Sequence, residues 1–270
     1  MTPPLILTPS QGVISEVQVK LHPIPEAVSA AVCSFPTLND AVEASMAVCS
    51  YSRPARMELL DAVTMSALDG YQGQSFEVAP TIFFEFHGSP SSVEEEAHKL
   101  SELVKDYGGG AFESATHTEE RTRLWKARHD AFWAVKAKYP GKDLIATDVC
   151  VPVSRLAEII DVTAKDVEEL GILAAPIFGH VGDGNFHLLV MFDSENEAEV
   201  KQVKVLEHRL IQRAISMEGT CTGEHGIGTG KIKYLEEEHG QVAVDVMKAI
   251  KRTLDPKNIL NPDKVVGPMR

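Results

Sequence analysis

Residues 174–192 read AAPIFGHVGDGNFHLLVMF, with Asp183-Gly184 standing between two apolar runs. Asp-Gly between strands is the preferred two-residue type I′ turn, because both positions need a positive φ that aspartate tolerates and glycine takes freely. The stretch therefore predicts an antiparallel hairpin with strands over 174–181 and 185–192. In that register Gly182 faces Asn185, Val181 faces Phe186 and His180 faces His187. Directly opposed side chains have Cβ atoms about 4.5–5.5 Å apart, so the two imidazoles converge, with Asn185 on their face. Val181, Phe186 and Leu188 point the other way, into a core. Two readings of the histidines stay open: ligands of a divalent ion or catalytic groups, and polar residues on the wet face of a hairpin.

Outward from the hairpin, strand-like and helix-like segments take turns. Period-two or β-branched and aromatic runs predict strands at 12–21, 27–35, 55–60, 81–87, 111–115 and 145–153. Helices are predicted at 38–49, 61–68, 92–107, 118–139, 154–170, 197–218, 231–238 and 242–254, with Ser92 capping the third. The run His22-Pro23-Ile24-Pro25 cannot continue a ladder and marks a boundary. Residues 1–11 read as a loose lead-in and 258–270 as an extended tail. Strands and helices in alternation, with a hairpin among them, give an α+β fold, a mixed or antiparallel sheet covered by helices. No Gly-rich turn follows an early strand, so a dinucleotide-binding Rossmann unit is not expected.

The chain has 270 residues, 44% hydrophobic and 24% charged, which suits one large or two small folded domains. With 26 basic and 39 acidic residues the net charge is −13. Such a surface repels nucleic acid and anionic lipid unless a basic patch is hidden, and the lysines and arginines are scattered. Nucleic-acid binding is therefore not expected. The apolar runs fall short of the ~20 residues of a membrane-spanning helix. Cys33, Cys49, Cys150 and Cys221 are too few and too far apart for a disulfide framework or a zinc knuckle, and fit a reducing compartment. The first basic residue is Lys20, so neither a secretory n-region nor a mitochondrial presequence is legible.

A second motif, Gly223-Glu224-His225-Gly226-Ile227-Gly228-Thr229-Gly230-Lys231, sets an acid and a base side by side in a loop that must bend sharply. It is not a Walker loop, because His225 and Ile232 stand where glycine and a hydroxyl residue are needed. Glu224 is a hard oxygen ligand able to complete a two-histidine, one-carboxylate set, and His225 can move protons near neutral pH. A solvated Glu-His pair in a glycine-rich connection explains the motif equally well. In the 118–139 helix, Arg128 lies near Trp125, Phe132 and Trp133, as either a carboxylate clamp or a snorkelling arginine. Glu207-His208 and Glu238-His239 read as solvated helix surface.

Taken in order, GHVGDGNFH (179–187), CTGEHGIGTGK (221–231) and DPKNILNPDKV (255–265) resemble the three signatures of the FAD-linked oxidase C-terminal region. That family includes D-lactate, glycolate and D-2-hydroxyglutarate dehydrogenases. TDVCVPVSRL (147–156) and EFHGS (85–89) are most similar to its cytochrome-linked, mitochondrial D-lactate branch. The resemblance runs from Gly12 to Val266 and implies a ferredoxin-like substrate or cap domain over 26–270. Residues 1–25, with GVISEVQVKL, match the end of a preceding flavin domain of roughly 200 residues. By the same resemblance His180, His187 and Glu224 hold a divalent metal, zinc or manganese, and His225 is the base. Asn185 and Arg128 contact the substrate, and Asn261 touches FAD.

The implied reaction is oxidation of a small D-2-hydroxy acid, D-lactate to pyruvate. The metal lowers the pKa of the substrate hydroxyl, His225 takes the proton, and the C2 hydrogen leaves as hydride to the flavin while Arg128 holds the carboxylate. An electron acceptor such as cytochrome c and a mitochondrial location are implied with it. Relatives that take five-carbon diacids carry an extra basic residue that 144–151 lacks, which favours a short monoacid. The alternatives are a dehydrogenase for glycolate or D-2-hydroxyglutarate, and a metal-binding module without catalysis.

Overall fold

The computed structural model describes residues 10, 12–73 and 75–268. The lead-in expected over 1–11 lies, apart from Ser10, outside the described residues. The chain divides into two compact units, Ile24–Gly219 and the combination of Met1–Pro23 with Thr220–Arg270.

The larger unit is built on an eight-stranded sheet. Its strands are β1 (Ala27–Ser34), β2 (Arg56–Leu60), β3 (Thr81–Gly88), β4 (Phe112–Ala115), β5 (Asp143–Ala146), β6 (Val149–Cys150), β7 (Ile177–Gly179) and β8 (Asn185–Phe192). They run in the order β4-β1-β3-β2-β7-β8-β5, with β6 also on β8. Every pairing among the described residues is antiparallel, so of the two expected forms the sheet takes the antiparallel one.

Six helices cover the sheet: α1 (Leu38–Tyr51), α2 (Ala62–Leu68), α3 (Pro90–Lys105), α4 (Thr118–Lys138), α5 (Leu156–Glu169) and α6 (Glu197–Ser216). Alternation along the strands decides what each face buries. Ala30, Leu60, Phe83, Phe178, Leu189 and Met191 form one core with Met65 and Leu68 of α2 and Trp125 and Ala131 of α4. The intervening Ile82, Phe84 and Phe86 are wholly buried on the opposite side, and α1 and α3 pack against β1–β3.

Two caps fix how the elements join. Asp61 caps α2 by accepting the Thr64 N–H, and its second oxygen accepts the Ile177 N–H at 2.8 Å, which ties the end of β2 to β7. For α3 the cap is Ser89 with Pro90 at the first position, not Ser92. Proline cannot donate there and its fixed φ suits an opening turn, so the helix begins earlier than expected.

Three further expectations are corrected. Residues 12–21 form no strand: Val13, Val17 and Val19 are exposed, and so is Ile14 on the other face. Period two specifies a strand only where a neighbour supplies the ladder, and among the described residues none pairs with this stretch. The strand expected over 145–153 breaks into β5 and β6 at Thr147 and Asp148. The tail is turned, not extended, with positive φ at Asn258, Asn261, Asp263 and Val265.

The hairpin exists but not in the expected register. Ile177 pairs with Leu188 and Phe178 with His187, so His180 does not face His187. A 3-10 turn over Val181–Asp183 replaces the two-residue loop, and Gly184 takes φ 77° at its end. Two packing demands override the type I′ preference. Val181 is fully buried by the longer turn, and Gly179 runs so close to β8 that a Cβ on it would lie 2.5 Å from the Phe186 Cα.

The smaller unit carries α7 (Leu235–His239) and α8 (Gln241–Leu254). Lys251, 2% exposed, pairs with buried Asp255 and also donates to the Leu260 carbonyl at 2.7 Å. Asp255 in turn accepts the N–H groups of Ile259 and Leu260, so one buried ion pair folds the start of the tail back on its helix.

Candidate metal and substrate site

In the larger unit a polar cluster forms where β2, α4, β7 and β8 meet. Glu58 on β2 is its hub. Its Oε1 accepts from His180 Nδ1 at 2.6 Å and its Oε2 from Arg128 Nε at 3.1 Å. The side chain is 9% exposed. Burial alone would raise its pKa, but the His180 hydrogen bond and the Arg128 charge outweigh burial and hold the carboxyl below the usual range. Sequence reasoning passed over Glu58, although a carboxylate inside an apolar strand, RMELL, is a buried charge that must find partners.

His187 is 3% exposed, and its Nδ1 lies 2.9 Å from the Thr147 carbonyl oxygen. A carbonyl only accepts, so Nδ1 carries the hydrogen and the neutral ring keeps its lone pair on Nε2. The ionised Glu58 sets His180 the same way. The two rings stand 6.0 Å apart between centroids at 89°. The break between β5 and β6 makes this possible. Thr147 N–H donates to the Leu188 carbonyl and its hydroxyl accepts the Leu188 N–H, which pins its own carbonyl behind His187.

Asn185 is 5% exposed and donates from Nδ2 to Asp148 Oδ1 at 2.9 Å and to the Val149 carbonyl at 2.8 Å. Its Oδ1 is buried with no hydrogen-bond partner, a state that costs about 1–3 kcal/mol. Arg128 rests its guanidinium 4.8 Å from the Phe178 ring centre, a cation–π contact. Its aromatic neighbour is thus on β7 and not on its own helix: Trp125 lies under Arg56, and Trp133 is exposed. Beside the cluster an open cleft of about 740 Å³ is lined by Met46, Arg53, Arg56, Glu58 and His180 among others.

The smaller unit holds the remaining candidates. Glu224 and His225 lie in the glycine-rich loop, about half exposed, with His225 Nε2 3.8 Å from Glu224 Oε1. The loop is braced by groups of its own unit. Thr222 Oγ1 accepts the Gly226 N–H, Glu238 Oε2 accepts the Cys221 N–H, and the Gly228 carbonyl accepts the Val265 N–H, each at 2.8 Å. Gly226 and Gly228 take φ 81° and 53°, conformations that explain the glycine spacing. The Cys221 thiol is pushed up to about 12 by burial and by Glu238, so it stays protonated and structural. Glu238, read from sequence as solvated surface, is instead a brace of this loop with its side chain 9% exposed. Asn261 sits in a turn of the tail, exposed, with φ 46°.

The family model described as FAD linked oxidases, C-terminal domain, matches residues 24–265. A probable mitochondrial D-lactate dehydrogenase of Danio rerio is 46% identical over 256 residues, covering 94% of this chain and 51% of that protein. The mitochondrial D-lactate dehydrogenase [cytochrome] of Arabidopsis thaliana is 42% identical over 258 residues, covering 95% and 45%. The chain thus spans about half the length of these relatives. Among solved structures, p-cresol methylhydroxylase with substrate bound aligns with a TM-score of 0.66 at 15% identity, over 91% of this chain and 54% of the other. That likeness is one of fold. With the family model spanning all eight strands and both histidine-bearing ends of the hairpin, this chain belongs to the FAD linked oxidase C-terminal domain family.

Proposed function

We propose that this chain is the substrate- and metal-binding part of an FAD-dependent D-2-hydroxy-acid dehydrogenase, with D-lactate as substrate and pyruvate as product. The observation that carries the reading is the pair of imidazoles whose Nδ1 atoms are each bound from behind by an oxygen, Glu58 for His180 and the Thr147 carbonyl for His187. Metal-ligating histidines are backed in this way, which fixes tautomer and ring orientation. Two imidazoles and a carboxylate are donors that zinc and manganese accept; His180 and His187 are the proposed nitrogen ligands, and Glu224, from the glycine-rich motif, the proposed carboxylate. A divalent ion there would supply Lewis acidity to the substrate's hydroxyl.

The chain's own residues have distinct roles. Arg128 binds the substrate carboxylate through Nη1 and Nη2, since its Nε is taken by Glu58. Asn185, its amide nitrogen held by Asp148 and Val149, offers Oδ1 as an acceptor to the substrate. His225 takes the hydroxyl proton. The flavin, when bound, supplies the hydride acceptor, and Asn261 is its contact from this chain. Residues 144–151 hold no lysine or arginine for a second carboxylate, which favours a monoacid over a diacid. The names of the relatives extend the reading to a mitochondrial enzyme with a cytochrome as electron acceptor.

Calorimetric titration of the purified chain with D-lactate, glycolate and D-2-hydroxyglutarate, each with and without zinc or manganese, tests this. D-lactate should bind tightest and only to the metal-loaded chain, and Arg128→Lys should weaken it by about tenfold, the cost of losing a bidentate partner. Binding indifferent to metal and to Arg128 would contradict the reading. Tighter binding of the diacid would move the substrate to D-2-hydroxyglutarate.

A further inference from the structure

Glu58 has two oxygens, and each is committed to a different part of the site. Oε1 takes the Nδ1 hydrogen of His180 and Oε2 the Nε hydrogen of Arg128. The strand that carries it is central, with β3 on one side and β7 on the other, and Leu59 and Leu60 beside it are fully buried, so the carboxylate cannot drift. We propose that Glu58 is the positioning residue that joins the metal to the substrate's carboxylate, holding His180 in its ligating tautomer and Arg128 in its clamping orientation. The proposal rests on the functional reading above, because it needs an ion at His180 and an anion at Arg128.

The chemistry is specific to a carboxylate. Arg128 can only donate. An ionised acid accepts from both sides at once, but glutamine accepts through one atom and donates through the other. If a Glu58→Gln side chain turned its oxygen to Arg128, its amide nitrogen would face His180 Nδ1 and force the hydrogen to Nε2, where a metal must bind. Turned the other way, two donors would oppose each other at Arg128 Nε. Either orientation damages one half of the site, and exchange between them damages both. With Nε anchored and the guanidinium lying on Phe178, Arg128 presents its Nη1–Nη2 edge, the fork that grips a carboxylate through two bonds.

The test uses the full chain stripped of metal with a chelator. Zinc is titrated into wild type, Glu58→Gln and Arg128→Ala, and D-lactate is then titrated into each at saturating zinc. Glu58→Gln should bind zinc about 10–100-fold more weakly, as for other residues standing behind a metal ligand, and should also weaken D-lactate. Arg128→Ala should weaken D-lactate more than Glu58→Gln does and weaken zinc less than Glu58→Gln does, because it leaves the Glu58 Oε1 bond to His180 in place. A second measurement needs no variant at Glu58. The nitrogen-15 shifts of His180 in the metal-free wild type, assigned by their loss in His180→Gln, should report hydrogen on Nδ1 and a lone pair on Nε2. Zinc binding by Glu58→Gln equal to wild type, or a His180 ring with its lone pair on Nδ1, would overturn the role of Glu58 while leaving the metal site standing. A wild-type chain that binds no zinc or manganese would overturn the functional reading, and the proposal with it.

Discussion

Glu238 shows how a single side chain can brace a loop from outside it. Its carboxylate is mostly buried and accepts the Cys221 N–H at 2.8 Å, at the start of the loop that carries Glu224 and His225. Burial would raise its pKa; the hydrogen bonds from the Cys221 backbone, the Thr220 hydroxyl and the Cys221 thiol outweigh burial and lower it from 4.5. The folded pKa therefore lies below the unfolded one. Its stabilisation is complete above the unfolded value and drains away as pH falls through the folded one. Urea midpoints should place wild type above Glu238→Gln at pH 7, with the gap closing towards pH 3. A gap constant over that range would show that the charge on Glu238 does not matter. At this scale the sequence exposed the candidates through motif residues, but not the groups behind them. His180, His187, Asn185 and Arg128 were legible and the larger unit gathers them. Glu58 and Thr147 were not, because their partners lie 122 and 40 positions away along the chain.

The turn between β7 and β8 carries the lesson for elements. Asp183-Gly184 correctly announced a hairpin, since local turn chemistry is written in the residues themselves. Its register was misread because the burial of Val181 and the close approach of Gly179 to β8 are facts of packing, invisible to a two-residue rule. Gly184 has both constraints at once, with φ 77° and a would-be Cβ 2.0 Å from the Val151 carbonyl oxygen. Gly184→Ala should cost about 2–4 kcal/mol, the sum of backbone strain and a forced shift. Gly141→Ala, with φ 78° and nothing within 4 Å, should cost only about 1–2 kcal/mol. Denaturant unfolding of the two variants checks this, and equal losses would mean that the contact with Val151 gives way freely. Residues 12–21 teach the converse, since a clean alternation does not make a strand when no ladder is on offer.

Over the whole molecule, the α+β class and most helices were legible because amphipathic periodicity and caps are local, and the strand order was not, because pairing between β2 and β7 joins segments more than a hundred residues apart. The candidate residues are likewise divided: His180, His187, Asn185 and Arg128 belong to Ile24–Gly219, and Glu224, His225 and Asn261 to the unit that includes Thr220–Arg270. On the proposed reading, the substrate and nitrogen-ligand groups belong to the sheet, and the acid, the base and the flavin contact to a braced loop and tail. The whole account depends on a divalent ion at the two histidines. Metal analysis of the chain purified after growth with zinc and manganese, beside a His180→Ala, His187→Ala double variant of unchanged circular dichroism, tests it most directly. About one divalent ion per chain in the wild type, lost in the variant, is the predicted result; no ion in either, or equal occupancy in both, would contradict it.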